Sequence, residues 1–230
     1  NPKFQLSQSY TAANIIDLVQ VAKNIFRESM IADRNVIQSS SLLPETESEV
    51  RSISKNFKLS NRRLLLGANA SEQNIKTMSL AEFDVINFAT HTIPGAYNSE
   101  PGLMLSLPKK STLLDDGILT PGEISNLDLN AKLVILSACN TASGECEGPL
   151  CNEDSEILSG LGQAFLYAGA ENLVVSHWNV ETNSTVELMT KFFEYWLKKD
   201  YAPAEALKHA KIDVRNMPEY NHPIYWAAFS

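Results

Sequence analysis

The sequence predicts an α/β fold with a mainly parallel central sheet and helices on both faces. Three observations lead there. From residue 64 onward, short apolar runs alternate with amphipathic helical patterns. The apolar runs are compact, as strands buried on both faces are. The chain has 230 residues, 44% hydrophobic and 20% charged, enough to fill one packed core.

In chain order, Thr11 to Met30 reads as a helix, because Ile15, Leu18, Val19, Ala22, Ile25 and Phe26 recur at helical spacing. A loop follows over 31–44, then a weaker helix from Glu45 to Phe57 with Val50, Ile53 and Phe57 on one face. Leu64–Leu66 before Gly67 reads as a short strand, and Ser71 as the cap of a helix carrying Ile75 and Met78. Phe83–Ala89 suits a buried strand that delivers Thr90 and His91. Pro94, Gly95, Pro101 and Gly102 make 92–102 a loop, and a short strand follows over Leu103–Leu107.

Thr120-Pro121-Gly122-Glu123 combines a capping threonine, a proline at the first helical position and a glutamate that closes a capping box. Lys132–Ala138, with Leu-Val-Ile-Leu at its centre, is the clearest buried strand and delivers Cys139. A polar loop over 140–154 carries Cys146 and Cys151. Ser155–Ala168 reads as a helix closed by Gly169, Leu173–Val175 as a strand ending near His177 and Trp178, and Thr182–Lys199 as an amphipathic helix. Pro203 opens a last helix, and Ile224–Phe229 reads as a final strand.

Charge and composition exclude several functions. The net charge of -8, with no basic cluster larger than Arg62-Arg63 or Lys198-Lys199, gives no footprint for direct nucleic acid binding. No apolar run is long enough to span a membrane, and residues 1–8 lack a signal-peptide core. Three cysteines, an odd and low count, fit a reducing, cytoplasmic compartment. No initiator methionine is present and the last residues read as mid-strand, so the chain is expected to be an excised domain. Residues 1–60 are either the helical start of that domain or a linker from a preceding module, and 61–230 form its core. No glycine-rich phosphate loop, no G-x-S-x-G elbow and no zinc-type pairing of Cys and His occurs, so no cofactor and no metal is expected.

Ligands bind at the carboxyl ends of strands in open parallel sheets. Two such ends here deliver reactive groups, His91 and Cys139. Neighbouring strands would bring them about 5 Å apart in the hydrogen-bonding direction. A thiolate is a nucleophile that needs a proton acceptor nearby, and an imidazole both fills that role and protonates a leaving amine. The loop after Cys139 offers backbone N–H groups for an oxyanion. Each residue alone also reads as structural, since buried unreactive cysteine is common. The pair at matching strand ends is more telling, as is its spacing of 48 positions, close to the roughly 50 of caspases. His177, near another strand end, is the rival imidazole; His209 and His222 read as packing or surface residues.

At these residues the chain resembles the CHAT family, caspase-like proteins often joined to tetratricopeptide repeats. The stretches that carry the resemblance are Asn87–His91, Asp116–Ile124, Leu133–Ala142, Gly162–Ala170, Val174–Trp178 and Tyr225–Phe229, with Leu43–Val50 matching an upstream helix start. The resemblance implies a caspase-like α/β sandwich and a His91/Cys139 dyad that cleaves peptide bonds without a metal. It also implies oxyanion donors at the backbone N–H groups of Thr92 and Cys139. Thr92 stands where relatives commonly have glycine, Asn152–Glu156 where they carry a glycine-rich stretch, and Asn179 where they often have proline.

Acidic side chains of the clan often read a basic substrate residue, which makes Asp116, Glu153 and Asp154 pocket candidates, with Asp115 beside them. The competing reading is that such loop acids are solvated and that Asp154 favours a helix N-terminus. Trp178 either lines a side-chain pocket or is buried in the core. The expected function is a cysteine endopeptidase acting on a protein or peptide substrate, controlled by a tetratricopeptide or other sensor module in bacterial signalling or defence. The alternatives are a catalytically silent interaction module and a small-molecule hydrolase or acyltransferase using the same dyad.

Overall fold

The computed structural model describes residues 44–93, 102–112, 114–137, 154–178 and 180–230. The helix expected over Thr11–Met30, most of the loop after it and nearly all of the polar loop over 140–154 lie outside the described residues. The helices are α1 (Pro44–Ser54), α2 (Glu72–Thr77), α3 (Pro121–Ile124), α4 (Asp154–Tyr167), α5 (Thr182–Phe193) and α6 (Pro203–Arg215). The strands are β1 (Val85–Phe88), β2 (Thr92–Ile93), β3 (Gly102–Met104), β4 (Ile118–Leu119), β5 (Leu133–Leu136) and β6 (Leu173–Val175).

β1, β5 and β6 form a parallel sheet with β5 in the middle. Its pleat sends alternate side chains to opposite faces. Val134 and Leu136 pack with Phe88 and with Leu161, Ala164 and Phe165 of α4 on one face. Leu133 and Ile135 pack with Leu188, Met189 and Phe192 of α5 and Ala206 and Ala210 of α6 on the other. All four β5 side chains are buried, which is why the run Leu-Val-Ile-Leu carries no polar alternation. Helices therefore cover both faces of a parallel sheet, the caspase-like α/β arrangement expected. Ile53 of α1 joins the second core, and α1 packs along α5.

A smaller antiparallel sheet in the order β2-β3-β4 leans on the first core through Leu103 and Leu119. This corrects one expectation. The loop predicted over 92–102 begins as strand at Thr92, because Thr92 pairs with Leu103 and Ile93 with Gly102. Two-residue strands carry too few side chains to show a period.

Caps behave as predicted. Thr120 Oγ1 accepts from the Glu123 N–H while the Glu123 carboxylate accepts from the Thr120 N–H, a complete capping box on α3. The Ser71 hydroxyl caps α2 by accepting from Asn74. Gly169 closes α4 at φ 114°, and a Cβ there would sit 2.2 Å from the Leu129 carbonyl oxygen. The helix predicted over Thr182–Lys199 changes pitch, with a π-helical turn over Glu194–Lys198 after α5.

Two predicted strands are absent. Leu64–Leu66 is followed by a 3-10 turn and pairs with no strand, although Arg62 and Leu66 have extended dihedrals. Leu65 packs against the first core, and all three leucines are half-buried, without a ladder. Ile224–Phe229 begins in a 3-10 turn opened by Pro223, and only Phe229 makes a bridge, antiparallel to Ser176. The N–H groups of Tyr225, Trp226 and Ala227 donate back to the His222 and Pro223 carbonyls within the turn, so the pairing with β6 is left to the last residues.

Candidate active site

β1 ends at Phe88, and the chain turns through Thr90 into β2. The Met104 N–H donates to the His91 carbonyl at 2.8 Å, and the Thr90 hydroxyl donates to the Met104 carbonyl. These bonds clip the residues on either side of the imidazole to β3, so His91 stands half-buried on an anchored backbone. The Met104-to-His91 bond also sets the phase of the β2–β3 ladder. Thr92 and Leu103 are then a non-hydrogen-bonded pair, and the Thr92 N–H is directed away from β3. The Thr92 side chain is buried.

Cys139, Cys146 and Cys151 lie outside the described residues. The strand that leads to Cys139 is described as far as Ser137. The parallel register pairs each residue of β1 with the one 48 positions later, from Val85 with Leu133 to Phe88 with Leu136. The Ser137 N–H then donates to the Phe88 carbonyl at 2.9 Å, carrying the ladder past the strand. His91 and Cys139 are separated by the same 48 positions.

The rival His177 is held differently. It is exposed, its N–H donates to the Ala228 carbonyl at 2.9 Å, and its Nε2 lies 2.6 Å from the Ser230 hydroxyl. His209 packs against the rings of Tyr195 and Tyr201, and His222 Nδ1 accepts the Ile224 N–H.

Sequence reasoning missed a buried polar group behind the strand ends. Glu49 of α1 is 6% exposed, and burial raises its carboxyl pKa from 4.5 to about 7, against a smaller opposing influence from the Ser137 hydroxyl. That hydroxyl is near enough to act on the carboxyl without completing a hydrogen bond. Glu49 Oε1, Ser137 Oγ and both amide atoms of Asn87 are buried with no hydrogen-bond partner. Two signals were available. Glu49 stands one helical turn before Ile53 on the apolar stripe of α1, and Asn87 interrupts an otherwise apolar strand.

The family model for the CHAT domain matches residues 8–230. The chain belongs to the CHAT domain family. This CHAT domain is also similar to tetratricopeptide repeat protein 28 of Mus musculus, 24% identical over 218 residues that cover 82% of the chain. The Homo sapiens protein of the same name is 24% identical over 217 residues. The chain spans about 8% of the length of these curated relatives.

Of the remaining site candidates of the CHAT domain, Asp116 and Trp178 have described side chains. Asp116 is 9% exposed, and its Oδ1 accepts the Ile118 N–H at 2.9 Å, bracing the turn into β4. Its own N–H and that of Gly117 donate to Glu72 Oε2. Glu72 is fully buried and shares Lys76 with Glu123, so Asp116 sits at the edge of a buried ionic cluster. Asp115 backs the same turn through its N–H to the Thr112 hydroxyl. Asp154 is the first residue of α4, with its side chain outside the described part, as is all of Glu153. Trp178, just past β6, is 38% exposed and its Nε1 donates to the Ile224 carbonyl at 3.0 Å. It is therefore a surface side chain rather than a core one. No helix among the described residues is long and apolar enough to cross a membrane.

Proposed function

We propose that this CHAT domain is a cysteine endopeptidase that cleaves a protein substrate with Cys139 as nucleophile and His91 as proton carrier. The observation that carries the reading is the register of β1 on β5. It pairs residues 48 apart, the separation of His91 and Cys139. The same offset is what a histidine and a cysteine delivered by the ends of neighbouring parallel strands would have, and this supports the reading. Membership of a caspase-like family supports the same assignment.

In the proposed cycle His91 takes the Cys139 proton as the sulfur attacks the scissile carbonyl. The tetrahedral oxyanion is met by backbone N–H groups at Cys139 and at Thr92, whose amide is turned away from β3. The imidazolium gives its proton to the leaving amine, and water then releases the acyl group by the reverse path. Trp178 and the acids Glu153 and Asp154 are proposed to contact the substrate side chain, favouring a basic residue. Asp116, committed to its own turn, serves the site by shaping β4. Control is proposed to come from a tetratricopeptide module in the same chain or a partner, because the two relatives above carry that repeat in their names.

The test uses the full parent protein and a thiol-directed active-site probe, followed by cleavage of a peptide library. Labelling and cleavage are expected, and both disappear in Cys139→Ala, with cleavage alone collapsing in His91→Ala. A parent protein that is neither labelled nor able to cleave, even with its sensor module engaged, establishes the silent interaction module instead.

A further inference from the structure

Glu72 opens α2 with a fully buried carboxyl group. Acids are almost never buried unless they are paired, and this one is bonded at both oxygens. Its Oε1 accepts from Lys76 Nζ, and its Oε2 accepts the backbone N–H groups of Asp116 and Gly117 at 2.8 and 3.0 Å. Lys76 directs its remaining donors to the Leu114 carbonyl at 2.9 Å and to Glu123 Oε1 at 2.8 Å. The next N–H along the chain, that of Ile118, donates to Asp116 Oδ1 at 2.9 Å. Two carboxyl groups therefore hold the N–H groups of three successive residues. Because each peptide unit is planar, fixing the Ile118 N–H also aims the Gly117 carbonyl. Gly117 has φ 93°, a conformation that suits glycine.

From this turn the bonding runs on to His91. The Gly117 carbonyl accepts the Leu105 N–H at 2.8 Å. Beside Leu105 stands Met104, whose N–H donates to the His91 carbonyl and whose carbonyl accepts the Thr90 hydroxyl. The β3–β4 register agrees, since Met104 lies opposite Ile118. We propose that Glu72 is a positioning residue for His91, acting through the Gly117 turn and β3. This rests on the dyad reading above and adds to it a residue that the reaction itself does not use. The ion pair of Lys76 with Glu123 ties α2 to α3 without Glu72. What only Glu72 supplies is one oxygen that takes two successive N–H groups of the turn, and a charge-assisted pair of that kind fixes direction as well as distance.

The test uses the full parent protein and hydrogen–deuterium exchange read by mass spectrometry. Glu72→Ala is expected to speed exchange over residues 102–106 about tenfold or more, while residues 133–137 stay within about threefold of the parent, because the opening is local. On a peptide that the parent cleaves, the same variant is expected to lose about tenfold or more in kcat with KM within about threefold, since a small misplacement of a catalytic group is costly. Glu72→Gln keeps a side-chain carbonyl able to accept both turn N–H groups, and it is expected to bring exchange and kcat back to within about threefold of the parent.

Unchanged exchange over 102–106, faster exchange that reaches 133–137 equally, faster exchange with the parent's kcat, or a glutamine variant as impaired as the alanine one would each overturn the proposal. Cys139→Ala separates it from the dyad. If that change abolishes cleavage while Glu72→Ala alters neither readout, the dyad stands and the positioning falls. If the parent cleaves nothing for Cys139→Ala to abolish, the dyad falls, and exchange over 102–106 alone decides whether Glu72 holds the backbone of His91.

Discussion

His91 and His177 each stand just beyond the end of a parallel strand, yet the fold treats them in opposite ways. Around His91 the chain is clipped to β3 through the Thr90 hydroxyl and the His91 carbonyl, and the residue is half-buried. Around His177 the backbone borrows the Ala228 carbonyl, the ring lies exposed, and its Nε2 is engaged with Ser230. The contrast teaches that the same place at a strand end is held in opposite ways according to which neighbouring segment pairs with it. By sequence alone the two histidines differ little.

The sharpest way to break that comparison is to exchange the roles. His91→Ala is expected to lower peptidase kcat by about 10² to 10⁴, the usual worth of a positioned acid–base group, while His177→Ala stays within about threefold. Steady-state kinetics on one substrate reads both, and equal losses at the two positions erase the distinction.

The next effect concerns the buried carboxyl of α1. Glu49 has its pKa raised from 4.5 to about 7, so between these values the folded state binds more protons than the unfolded state. Stability therefore falls as pH rises from about 4.5 to about 7 and is flat above, the reverse of a salt-bridged acid. Urea denaturation is expected to find Glu49→Gln more stable than the parent by up to about 3 kcal/mol at pH 8, with the two curves converging near pH 4. A parent whose stability rises over that interval contradicts the buried, uncharged setting of the carboxyl.

A smaller effect is expected in the clip itself. A Cβ on Gly102 would sit 2.4 Å from Ile118 Cγ2 and 2.9 Å from the Leu119 carbonyl oxygen. Gly102→Ala should cost about 1–3 kcal/mol by overpacking and should slow cleavage beyond what its stability loss explains, because it pushes β3 off β4 beneath His91. Retained kcat with lowered stability would show that the clip does not serve the imidazole. Last comes a change remote from both histidines. Thr120→Ala removes one half of the α3 capping box and is expected to cost about 1 kcal/mol with kcat untouched, read by melting and kinetics together.

Much of this was legible in the amino-acid order because local chemistry and global fold agree there. β5 announces itself as four apolar residues that are all buried, the Thr120–Glu123 box forms as written, and Gly169 stands where α4 needs a positive φ. What escaped depends on neighbours more than on local pattern. Leu64–Leu66 looks like strand but meets no partner, a property of the neighbours rather than of the leucines. The ladder among β2, β3 and β4 pairs two-residue and three-residue strands, too short to show a period. Glu49 lies on the apolar stripe of α1, one turn before Ile53, yet acids at such places are usually solvated, and tertiary packing decides that this one is buried. For the site itself, the two strand ends are legible as the sources of His91 and Cys139, while Cys139 lies outside the described residues.

The pairing of Val175 with Ser230 has a meaning for the chain in company. Val175 and Ser230 exchange backbone bonds at 2.9 and 3.0 Å, and His177 leans on Ala228, so the outer margin of β6 is hemmed by the three residues 228–230. Lys211 fastens that hem from α6 through the Phe229 carbonyl. Stripped of it, β6 would offer free amides and carbonyls to any passing strand, and the domain would acquire a template for stacking on its own copies.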